Sequence, residues 1–191
     1  MTDLKRSAPL LTLACLTMAG CSYDPPTSAD ERAGQVLVSQ NGTLASALSS
    51  SDGMATVSDA LKEAQLADLL DGVAAYTLLA PDDDAFTALG DEGETLLEPE
   101  QRAILVALLR DHLLVGHVTP DAIRSAIEDG GGQAAMATLG GTTVTFELEG
   151  DALAVIGPGG SRANIERPAI EAENGVALPL DGVLLPAAPR S

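Results

Sequence analysis

An α+β fold is predicted, with helices gathered in the first part of the folded region and strands in the second. Up to Asp129 the apolar residues recur mostly at helical spacings, whereas after Gly130-Gly-Gly132 they alternate with polar ones. Val144, Phe146 and Leu148, separated by Thr145, Glu147 and Glu149, give the clearest alternation, a strand with one wet face. One strand stands early, at Tyr76-Thr-Leu-Leu-Ala-Pro-Asp-Asp-Asp-Ala-Phe86, where it meets a hard turn and a helix start. Segregated helices and strands favour α+β over an alternating parallel sheet.

Taken in order, Gln35 to Gln40 reads as a short strand or the end of a linker, and Asn41-Gly42 as a turn. Leu44 to Ser49 is a short helix. Met54 to Leu70 is a longer one, capped by Thr56 with Asp59 in a capping-box position, and Gly72 supplies the left-handed residue past its end. Tyr76, Leu78 and Ala80 alternate along a buried strand, Pro81 stops it, and Asp82 or Asp83 caps the next helix, whose inner face carries Ala85, Phe86 and Leu89. Asp91 to Glu98 is an acidic loop. Pro99 and Glu100 then start a helix from Gln101 to Val115, whose apolar residues cover more than one stripe and make it the central buried helix.

Thr119 and Pro120 open another helix as cap and first residue, and it stops at Gly130-Gly-Gly132. Gly150-Asp151 turns a hairpin, Leu153 to Ile156 returns, Gly157-Pro-Gly-Gly160 turns again, and short strands continue to Leu185. No internal repeat is present.

Composition narrows the partners. The 191-residue chain carries a formal charge of −18, and Lys62 is the only lysine beyond the N-terminus. Phosphate backbones need clustered lysine and arginine, so nucleic acid is excluded as a partner. Anionic lipid is repelled as well, and membrane contact is expected through an anchor only. Trp is absent and there are only two Phe and two Tyr, so the core is aliphatic.

Residues 1–20 read as an export signal: Lys5 and Arg6 precede an apolar run from Ala8 to Ala19, well short of the ~20 residues of a membrane span. Thr17-Met-Ala-Gly-Cys21 resembles a bacterial lipobox, which implies cleavage before Cys21, lipidation of that residue and placement at the bacterial envelope. Cys21 would then be the one cysteine left, which lipidation explains better than a redox role. Residues 21–43 form a flexible tether with a reach of about 25 Å for some 20 residues. Residues 44–187 form the domain and 188–191 a tail.

Four segments carry a family resemblance beyond the opening strand and turn, which itself resembles the "TVFAPTNEAF" hallmark of fasciclin (FAS1) domains. Leu61-Lys-Glu-Ala-Gln-Leu66 is similar to that family's early helix, and Leu108-Leu-Arg-Asp-His-Leu-Leu-Val-Gly116 to its "LLxYHVVxG" helix. Thr138-Leu-Gly-Gly141 resembles its "TLxG", and Asn174-Gly-Val-Ala-Leu-Pro-Leu-Asp-Gly-Val-Leu-Leu-Pro186 its closing segment. The resemblance implies helices packed on a small β-wedge built largely from the C-terminal half, and an extracellular binding or adhesion role. Two departures stand out. The family's tyrosine–histidine pair, in an integrin-binding region of some animal members, is Asp111-His112 here, and Pro179 stands in the closing strand. Integrin-type recognition is therefore not carried over.

No constellation for catalysis emerges. His112 and His117 are the only imidazoles, and five-residue spacing at a helix end suits no zinc pair. His112 is expected to bond a backbone group inside the fold. Asp82, Asp83 and Asp84 point about 100° apart on a helix and do not converge on calcium, so capping accounts for them. There is no nucleophile elbow, and the glycine-rich runs lack the lysine of a phosphate loop.

The expected function is therefore non-catalytic binding to an envelope or extracellular protein or glycan, with no cofactor and no metal. Its candidate surface is the Pro81–Asp84 turn and the Leu108–Gly116 helix, hence Asp82, Asp83, Asp111 and His112. An envelope hydrolase using His112 and a spacer without a ligand are the alternatives.

Overall fold

A computed structural model describes residues 37–38, 42–165 and 167–186. The chain begins there with a two-residue strand, β1 (Leu37–Val38), followed by α1 (Leu44–Ser49), whose cap Thr43 accepts the Ser46 amide. The predicted long helix is two: α2 (Ala55–Glu63) and α3 (Ala67–Leu70). The break is a Schellman ending, in which Gln65 adopts a φ of 57° while its amide reaches Lys62 O and the Leu66 amide reaches Leu61 O. Gln65, not Gly72, is the left-handed residue. Because a side chain at such a φ costs about 1–2 kcal/mol, Gln65→Gly is expected to raise the unfolding free energy by about 1 kcal/mol in urea melts. An unchanged midpoint would sink that expectation.

β2 (Tyr76–Pro81) leads through the cap Asp82 into α4 (Asp83–Ala88), with the Ala85 amide 2.8 Å from Asp82 Oδ1. The acidic segment expected as a loop is instead α5 (Asp91–Leu96). Gly93 makes this helix possible beside α4, since a Cβ there would lie 2.6 Å from Phe86 O. A 3-10 turn (Pro99–Gln101) starts α6 (Arg102–Asp111). The predicted helix to Val115 ends four residues early, because Leu113–Val115 is β3, paired antiparallel to β2 from Tyr76↔Val115 to Leu78↔Leu113. α7 (Pro120–Asp129) has Thr119 as its cap and Pro120 in its first turn, as its sequence predicts.

The remaining strands are β4 (Gln133–Ala137), β5 (Thr143–Glu149), β6 (Ala152–Ile156), β7 (Arg162–Ile165), β8 (Ile170–Ala172) and β9 (Gly175–Leu180). They complete two sheets, ordered β1-β8-β9-β2-β3 and β4-β5-β6-β7. In the first, β2 and β9 run parallel from Tyr76↔Gly175 to Pro81↔Leu180. Pro179 fits because β8 flanks β9 only from Gly175 to Ala177, leaving one neighbouring strand at the proline. The second sheet is antiparallel throughout and meets the first where the Leu139 amide reaches Leu113 O, at 2.7 Å, and the Asp181 amide reaches Asn164 O, at 3.1 Å.

Two cores result, aliphatic but for one phenylalanine in each. One lies between α1–α6 and one face of the first sheet, and includes Leu44, Leu61, Leu78, Leu105 and Leu109. The other includes Leu79, Ile123, Val144, Phe146, Val155 and Leu178, where α7 covers the opposite side of the strands. β2 serves both, since successive side chains leave a strand on opposite faces and Leu78 and Leu79 are each fully buried. Burying each such leucine contributes roughly 2 kcal/mol.

Candidate functional site

The three consecutive aspartates go separate ways. Asp82 caps its own helix, whereas Asp83 caps another: its Oδ1 accepts the Thr56 amide in the first turn of α2 at 2.7 Å. The α2 cap predicted at Thr56 is thus supplied from 27 residues away. Partial burial acts to raise the Asp83 pKa. Hydrogen bonds from Thr56 and the Ala55 amide, with the Arg167 charge, prevail and hold it below the ordinary value. Asp84 is exposed. Arg167 also donates to Asp52 O at 2.7 Å, and the Asp83 amide donates to Gly53 O at 3.0 Å, so the Asp52-Gly53 turn is held from both sides.

Asp111 and His112 lie inside, which corrects their placement on a binding surface. Asp111 is 8% exposed and accepts the Thr142 hydroxyl at 2.7 Å and the Thr138 hydroxyl at 3.4 Å. These donors offset an unfavourable position, a carboxylate at the negative end of α6. Gly140 permits the approach, since a Cβ there would sit 2.0 Å from Asp111 Oδ1. Where the related pattern has tyrosine, this chain thus joins a carboxylate to the hydroxyls of Thr138-Leu-Gly-Gly-Thr142.

His112 is wholly buried. Its Nδ1 is 2.9 Å from Leu108 O and its Nε2 accepts the Leu184 amide at 3.0 Å, which makes the ring neutral with the proton on Nδ1. Burial pushes its pKa down to about 4, against opposing pulls from the Leu108 carbonyl and the Asp111 charge. With both nitrogens engaged and no solvent access, the ring is a tie between α6 and the chain after β9. A general base for a substrate it is not.

One open feature among the described residues lies elsewhere, between α5 and α6. Asp91, Glu92, Thr95, Leu96, Gln101 and Ile104 line a hollow of about 350 Å³, at the small end of the range for ligand sites. Spacings of three and four residues bring Asp91, Glu92, Thr95 and Leu96 to one face of α5, and the same rule pairs Gln101 with Ile104. Ile104 is 53% exposed, although Leu105, Leu108 and Leu109 on the same helix are buried. The sequence signals were present: an acidic segment with Leu96 inside it, and one apolar residue too many for a single helical stripe. Among the described residues no group of three or more His, Cys, Asp and Glu side chains is placed to hold a metal ion, and no helix is long and apolar enough to cross a membrane. Cys21 and its flanking residues lie outside the described residues.

Residues 52–186 match the model of the fasciclin domain. The chain belongs to the fasciclin domain family. Its fasciclin match begins just before α2 and runs through all remaining elements, so α1 and β1 precede it. Protein sll1483 of Synechocystis sp. is 29% identical over 145 residues, which cover 75% of this chain and 73% of that protein. Among solved structures, a FAS1 domain pair from the insect cell adhesion molecule fasciclin I matches with a TM-score of 0.67 and 19% identity over 75% of this chain. The fasciclin fold is thereby shared with that pair, and this chain spans about half of the insect chain's length, 51%.

Proposed function

We propose that this fasciclin domain is a non-catalytic binding module of a bacterial envelope, anchored through a lipid on Cys21 and contacting an envelope or extracellular protein or glycan. The observation that carries the reading is an exposed groove between α5 and α6 on a domain of an adhesion-related family. The basic and apolar N-terminal segment ending at Cys21 supports the anchor. A hydrolase built on His112 finds no support, because both ring nitrogens are already engaged in the interior. The full chain and its Cys21→Ser variant should separate on cell fractionation, the first with membranes and the second with soluble material. The anchored chain should also retain an envelope component when cross-linked in cells. Equal partitioning of the two chains would refute the anchor. If an unrelated soluble domain replaced residues 44–187 with no change in what is retained, the spacer reading would stand instead.

A further inference from the structure

We propose that the groove between α5 and α6 receives a basic, amphipathic segment of a partner protein, one presenting an aliphatic side chain flanked by lysine or arginine. This rests on the binding-module reading and names the chemistry of its partner. The apolar part of the groove is aliphatic, from Leu96 and Ile104. A hollow of about 350 Å³ has room for one or two inserted side chains. Single exposed isoleucines are ordinary on protein surfaces. This one is different in having a concave neighbour against which an incoming side chain would lose water on both sides.

The polar part fixes the sign of the partner. Asp91 and Glu92 line the groove, Glu94, Glu98 and Glu100 are exposed along the same stretch, and Arg102 is the only basic residue between positions 91 and 104. None of those five carboxylates enters an ion pair among the described residues. A cation brought to this rim meets uncompensated negative charge beside an apolar wall, where attraction exceeds that in open water. An acidic or neutral segment would leave that charge unanswered. A glycan suits the groove less, since sugar faces pack on aromatic rings and none lines it. Leu96 and Ile104 likewise have no part in holding a bare metal ion.

The test titrates a synthetic leucine–lysine amphipathic peptide into the full chain, with an amino-sugar oligomer in parallel. Three variants accompany it: Asp91→Asn with Glu92→Gln, Ile104→Ser, and a control, Glu128→Gln with Asp129→Asn, at the exposed end of α7. The peptide should bind saturably, more weakly as salt rises. The groove pair and Ile104→Ser should each weaken it about 10-fold, and the control pair by no more than about twofold. Equal weakening by the control pair would mean diffuse attraction and overturn the proposal. So would binding indifferent to Ile104→Ser, or oligomer binding that requires Ile104 when peptide binding does not. If an envelope component cross-links equally well to wild type and both groove variants, the groove assignment falls while the binding-module reading survives.

Discussion

Asn174→Ala should lower the unfolding free energy by about 3 kcal/mol. The side chain of this residue, in the turn between β8 and β9, meets three backbone groups from distant segments. Its Nδ2 donates to Leu70 O at 2.7 Å and to Gly72 O at 2.6 Å, and its Oδ1 accepts the Leu44 amide at 2.7 Å. It therefore satisfies the end of α3, the start of α1 and the approach to β2 together. Alanine leaves all three groups without their partner at a cost of about 1 kcal/mol each. For a domain of this size the melting temperature should fall by roughly 10 °C, readable by thermal or urea denaturation. A loss under about 1 kcal/mol would show that water replaces these bonds without cost.

Acid should weaken the domain through His112. The ring titrates at about 4 in the fold against 6.5 ordinarily, so between those values the unfolded chain binds the extra proton. Stability is complete above pH 6.5 and declines as pH falls, by about 1.4 kcal/mol per unit and about 3 kcal/mol in all by pH 4. Protonating surface carboxylates relieves self-repulsion and works the other way, so wild type must be compared with a chain lacking the titration. His112→Gln retains an acceptor for the Leu184 amide and cannot take up the proton. It should be less stable than wild type at neutral pH, and the gap should close as pH drops towards 4. A gap constant across that range would remove His112 as the acid-sensitive group.

Local chemistry made much of the fold readable. Pro81 with Asp82, and Thr119 with Pro120, mark helix starts by donors and acceptors within three residues, and the structure matches both. The β5–β6 hairpin follows its alternation and its Gly150-Asp151 turn. The misread elements either lack the usual local signal or take their form from a partner strand. The α2–α3 break uses a left-handed glutamine where glycine is the usual signal. Leu113–Val115 continues a helical pattern, yet pairing with β2 makes it a strand. Gln133-Ala-Ala-Met-Ala137 lies in the region expected to hold strands and is one despite its helix formers, because β5 lies alongside.

The candidate site divides in the same manner. His112 bonds backbone inside the fold, as its sequence context suggests, but the same burial removes it and Asp111 from any surface. Arg167 and Asn174 act over more than a hundred residues, at Asp52 and at Leu70, and no local pattern announces either. The groove at Ile104 required knowing which of the apolar residues of α6 lacks a neighbour.

The parallel pairing of β2 with β9 has a consequence for the order of events during synthesis. β9 stands between β8 and β2, so a stretch made after all the other described elements of the domain flanks two of its sheet's strands. Leu178 belongs to one core and Ala177 to the other, so neither is closed until Gly175–Leu180 has been made. A ribosome-bound chain still short of Gly175 holds its helices and its early strand without the piece that unites them. Closure of both cores is thereby deferred until Gly175–Leu180 has been made, so the contacts that unite this domain are long-range ones formed late.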